Sequence, residues 1–115
     1  MRSPRAPKAA ITTVAYRDPR RPGVPIEVIS LSALMRKAPA DFLARPQRPD
    51  FHQLVIVTRG RCRHEVDFRR LALRSGQALE VRPGQVQRFD LHAGLEGWLV
   101  LFTPELVRLP AALSL

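Results

Sequence analysis

A chain of 115 residues, 45% hydrophobic and 25% charged, can bury one hydrophobic core and not two, and its 11 prolines exclude long unbroken helices. The net charge of +9 raises the question of nucleic acid, but the arginines are spread along strand-like segments and an N-terminal tail, with no basic helix face, so they read as solvated surfaces. The single cysteine, Cys62, excludes an intrachain disulfide, and no apolar run approaches a membrane span or a signal-peptide core, so a cytoplasmic protein with no membrane partner is expected.

Residues 1–10 are rich in Pro and Arg and poor in apolar side chains, the composition of a disordered basic tail, with the ordered domain expected over residues 11–115. Ile11 to Tyr16 is β-branched enough for a strand, and Asp18 to Gly23 supplies a turn fixed by two prolines. Ile26 to Leu31 reads as a second strand, and Ser32 to Lys37 as one helical turn capped by Ser32 and ended before Pro39.

Phe51 to Thr58 is the strongest strand signal, apolar on both faces and closed by Arg59-Gly60, which places it in the middle of a packed sheet. From Arg61 the pattern alternates, putting Arg61, Arg63, Glu65 and Asp67 on one face and Cys62, His64, Val66 and Phe68 on the other. Leu71 and Leu73 lead into a turn at Ser75-Gly76, Ala78 to Val81 is a short strand, and Arg82-Pro83-Gly84 turns again. Val86 to Leu91 and Leu95 to Phe102 complete the strands. A helix then begins with Thr103 at its N-cap and Pro104 at its first position, limited by Pro110. Short strands at close intervals with turn signals between them favour an all-β antiparallel sandwich or barrel.

Two spaced motifs sharpen this. Gln47-Arg48-Pro49, Gln53 and Gly60 are followed by Gly76, the Arg82-Pro83-Gly84 turn and Gln87. These spacings resemble those of the cupins, jelly-roll barrels whose metal is held at the corresponding positions by histidines and a glutamate. Over about Ile26 to Leu109 the segments RPDFHQLVIVTRGRCRHEVD, RPGQVQRFDL and GWLVLFTPEL resemble the N-terminal domains of AraC-type transcription regulators. The resemblance implies a cupin jelly-roll barrel with a short C-terminal helix that senses a small-molecule effector and often dimerises. It also implies a following pair of helix-turn-helix motifs that bind DNA; the chain reads as ending before them, so DNA is a partner only of a longer parent.

At the four family ligand positions stand Gln47, Pro49, Gln53 and Gln87. Proline has no side-chain donor and neutral amides are weak ligands, so no metal and no other cofactor is expected, and with the metal goes the usual basis for cupin catalysis. If the register follows the family, Gln47, Gln53, Gln87 and His64 face the barrel interior, where they line either a polar effector pocket, the favoured reading, or a closed core in which they bond to one another and to backbone. Trp98 is a further pocket candidate, although its apolar strand favours core packing. His52 lies on the opposite strand face and reads as structural, and His92 as solvated. Cys62 and His64 sit two apart on one face with no orienting acid, which speaks against a nucleophile pair. The leading reading is a non-catalytic, metal-free effector domain. The alternatives are a small cupin enzyme, a free-standing small-molecule-binding cupin, and a nucleic-acid binder driven by charge alone.

Overall fold

In the computed structural model, which describes residues 11–15 and 26–107, strands dominate and arrange themselves in two sheets. They are β1 (Thr12–Val14), β2 (Ile26–Ser30), β3 (Gln47–Pro49), β4 (His52–Arg59), β5 (Arg61–Val66), β6 (Arg69–Arg74), β7 (Gln77–Val81), β8 (Gln87–Arg88) and β9 (Glu96–Phe102). One sheet runs β1-β3-β8-β5-β6 and the other β2-β9-β4-β7. Pairing is antiparallel except for β1, which lies parallel to β3. This is the all-β, two-sheet plan of a cupin jelly roll. The proposed tail over residues 1–10, the turn read at Asp18 to Gly23 and the helix limit read at Pro110 lie outside the described residues.

The core forms where the two inward faces meet. Val55 and Val57 of β4, Cys62 of β5, Leu73 of β6 and Leu99 of β9 pack with Leu31, Leu43, Phe89 and Leu95, all at most 7% exposed. Burial of this kind contributes roughly 1.5–3 kcal/mol for each large aliphatic side chain, before the entropy of ordering it is set against it. β4 lies between β9 and β7, as its continuous apolar run requires. Gly97 allows the tightest approach in this sheet: a Cβ there would run into the Ile56 carbonyl oxygen, beside a register shift between Val57 and Arg59.

Several local expectations are corrected. The first helix, α1 (Leu31–Lys37), starts one residue earlier than read, and its cap is Ser30, whose Oγ accepts the Ala33 N–H at 3.1 Å. Ser32 only meets Ser30 Oγ, at 3.2 Å. A second short helix, α2 (Ala40–Leu43), follows Pro39 with no periodic signal in so few residues. The strand expected over Val86 to Leu91 shrinks to β8, because Phe89 turns its N–H to the Leu43 carbonyl at 2.9 Å instead of continuing along β5. Phe68 does not continue the buried face of β5. It is 66% exposed, at the tip of a two-residue hairpin whose Asp67 and Phe68 both have positive φ, 49° and 67°. At the last helix, α3 (Pro104–Val107), Thr103 accepts the Leu106 N–H through its backbone carbonyl while its Oγ1 is buried without a partner, so the hydroxyl cap is absent.

Candidate functional site

β4, β5 and β8 bring three polar side chains together at the heart of the barrel. Inward positions of β4 and β5 carry Gln53 and His64, and the short β8 carries Gln87, which pairs across to Gln47 on one side and Val66 on the other. All four polar residues are buried, His64 completely. Gln53 Nε2 donates to Gln87 Oε1 at 2.6 Å and Gln87 Nε2 donates back to Gln53 Oε1 at 3.1 Å, a reciprocal amide pair. His64 Nε2 lies 2.8 Å from the same Gln87 Oε1. An amide oxygen only accepts, so Nε2 carries the proton and Nδ1 is left as an acceptor. Nδ1 is buried and has no partner.

The surroundings keep this imidazole uncharged. Burial pushes the His64 pKa below its ordinary value, against the smaller upward pull of the Gln87 hydrogen bond and of Glu65. Phe89 packs edge-on to the ring, with centroids 4.8 Å apart and planes at 76°. Gln47 is not part of this cluster. Its Nε2 reaches the Phe42 carbonyl at 2.9 Å and the Leu43 carbonyl at 3.4 Å, where it satisfies carbonyls at the C-terminal end of α2.

Residues 30–112 match the family model of the AraC-like ligand binding domain. The chain belongs to that family. No match is found among curated proteins. Three solved chains match, among them the plu4264 protein from Photorhabdus luminescens, 10% identical, with a TM-score of 0.46 over 71% of this chain and 66% of that one. The chain thus spans slightly less than two thirds of that protein's length, and so loose a likeness has no bearing on function.

The positions at which the resemblance to cupins leads one to expect metal ligands are Gln47, Pro49, Gln53 and Gln87. The residues do not fit one. Pro49 has no donor, Gln47 is spent on helix carbonyls, and Gln53 and Gln87 are bonded to each other. Among the described residues no three His, Cys, Asp or Glu side chains converge on one point.

A groove of about 420 Å³ lies against Phe89, whose ring packs on His64 of the polar cluster. Met35, Leu43, Phe89 and Leu91 line it, between the α1–α2 region and the non-strand segment 89–93. Phe89 thus has groove on one side and His64 on the other. Neither Phe89 nor α2 stood out in the sequence. Phe89 looked like one more residue of an apolar strand, and its departure toward Leu43 leaves no local mark.

The other candidates fall elsewhere. Trp98 belongs to the opposite face of β9 and is 47% exposed, so the core packing its apolar strand suggested does not occur, and it is remote from the Gln53–His64–Gln87 group by facing away from the interior. His52 lies on the outer face of β4, stacked on Phe102 at 5.0 Å and 3.6 Å from Glu80, a packing role. His92 is exposed, as expected, and also tethered: Nε2 meets the Arg61 carbonyl at 2.8 Å and Nδ1 the Ala93 carbonyl at 3.2 Å. These carbonyls, Ala93 first, raise its pKa. Burial, with Asp90 adding to it, pushes the Cys62 thiol up, which keeps it protonated and a poor nucleophile.

Proposed function

We propose that this domain senses a small-molecule effector for an AraC-type transcription regulator, without catalysis, metal or cofactor of its own. The effector is received where Gln53, His64 and Gln87 meet, reached from the Leu43–Phe89 groove by displacement of the Phe89 ring. The observation that carries this reading is the unpartnered His64 Nδ1. A completely buried acceptor left open costs about 1–3 kcal/mol, and a ligand hydroxyl, amide or amine donor would recover it. The amide pair supplies donors and acceptors beside it, suited to a neutral hydroxylated or carbonyl-bearing molecule.

DNA enters this picture through a longer parent, whose helix-turn-helix motifs would follow this domain. Dimerisation belongs to helices that follow the barrel, of which α3 is the start. Cytoplasmic residence agrees with a regulator of transcription; among the described residues no helix is long and apolar enough to cross a membrane. The test is a metabolite panel screened by thermal shift on the whole chain, with each hit repeated on Gln53→Leu. An effector that stabilises the parent and not the variant supports the site. A hit that stabilises both equally places the effector elsewhere.

A further inference from the structure

On the outer face of the β5–β6 ribbon, four side chains form a square. Arg61 stands directly opposite Arg74, and Arg63 directly opposite Ala72. Neighbours across the ribbon have Cβ atoms about 5 Å apart, and same-face neighbours along a strand are roughly 7 Å apart. Three corners of the square are therefore guanidinium groups and the fourth is a methyl. Like charges directly opposite one another destabilise a sheet pair, and among the described residues no ion pair offsets these. Among the described residues, the guanidinium groups of Arg61, Arg63 and Arg74 make no ion pair and no hydrogen bond, and Glu65, the acid on the same face of β5, is engaged by Arg88 at 3.2 Å.

The same four residues line a groove of about 630 Å³, completed on one side by Asp90 and His92. That volume lies within the range of small-molecule sites. Three guanidinium groups against the single Asp90 carboxylate leave it cationic, and Ala72 leaves open the seat that a larger side chain would fill. Cation forks around an empty corner match the geometry of a carboxylate or phosphate, which Arg recognises through paired N–H donors.

We propose that this groove is an anion site, distinct from the buried amide cluster, that takes a small molecule through a carboxylate or phosphate group held by Arg61, Arg63 and Arg74 above Ala72. The site is legible only in three dimensions. Alternation placed Arg61 and Arg63 on one face, but the register that sets Arg74 and Ala72 against them comes from the hairpin.

Calorimetric titration of the 115-residue chain with citrate and with inorganic phosphate tests this, alongside a 16-base-pair duplex at low and moderate salt. Saturable binding of citrate or phosphate is expected, and whichever is tighter identifies the carboxylate or the phosphate as the recognised group. Arg63→Ala should weaken it at least tenfold, and Ala72→Glu, which fills the seat with a carboxylate, should abolish it while raising Tm. Arg69→Ala, exposed on the same hairpin but not in the groove, should change nothing, and Gln53→Leu should leave anion binding intact whatever it does to the effector. Absence of saturable binding by both anions, equal loss in Arg69→Ala, or binding of the duplex that citrate does not displace would overturn the proposal.

Discussion

Gln53 and Gln87 each satisfy the other, so neither can be altered alone without leaving a buried group unpaired. Gln53→Leu keeps the approximate volume but removes the acceptor for Gln87 Nε2. The loss is about 1–3 kcal/mol, and for a domain of this size each kcal/mol lowers Tm by roughly 4–8 °C. A thermal melt should therefore fall by several degrees; an unchanged melt would mean that the cluster is solvated and open without its effector. His64 makes a second residue-level prediction. Its folded pKa is depressed, so its contribution is complete above the ordinary value of 6.5 and is lost as pH falls below it, when the unfolded chain takes a proton that the buried ring refuses. The raised pKa of His92 works in the opposite direction, but that ring is fully exposed and screened. In a His92→Asn background, Tm should fall between about pH 7.5 and 5, and His64→Leu should flatten that slope. A slope unchanged by His64→Leu would assign the pH dependence to another group.

The hairpin joining β5 to β6 shows how an element can be read correctly and its end misread. Strict alternation from Arg61 to Val66 fixed which residues face inward, and the burial of Cys62, His64 and Val66 follows it. Alternation has no means of announcing where a strand stops, and Asp67-Phe68 lacks the glycine that marks most two-residue turns. Tertiary bonds hold this turn instead: Asp67 Oδ1 accepts the Val86 N–H and Oδ2 accepts Gln85 Nε2, both at 3.0 Å. Phe68 has a strained left-handed backbone and little burial to lose. Phe68→Gly should accordingly stabilise the domain by on the order of 1 kcal/mol, seen as a higher midpoint in urea with the slope unchanged; a lower midpoint would mean that the exposed ring has a packing role. The same limit explains β8. Val86 to Leu91 carries a strand-like composition, yet the contact that ends the strand at Arg88 lies with Leu43, far away in sequence. The cupin spacing, by contrast, located Gln47, Gln53 and Gln87 because glycine and proline turns fix those intervals. It could not tell that Gln47 turns toward α2 and the other two toward each other, since that choice depends on side-chain neighbours.

Across the whole molecule the two sheets present different outer faces. The β5–β6 face is basic, whereas the β2–β9 face exposes Ile26, Val28 and Trp98. Among the described residues these three are the large apolar side chains this face exposes, and with the dimer contact assigned to helices that follow the barrel, this chain should sediment as a monomer at micromolar concentration. A stable dimer disrupted by Val28→Lys would instead put the contact on this sheet and not on helices that follow the barrel. The interior is where the two sheets meet, and the reading of the domain as a sensor stands on it. Hydrogen–deuterium exchange with and without an effector found by the panel screen maps the response over the entire chain. Effector binding at the buried cluster predicts slowed exchange in β5, in α2 and across residues 86–93, where Phe89 must move and repack. Protection confined to the outer faces, with those segments unchanged, would contradict it.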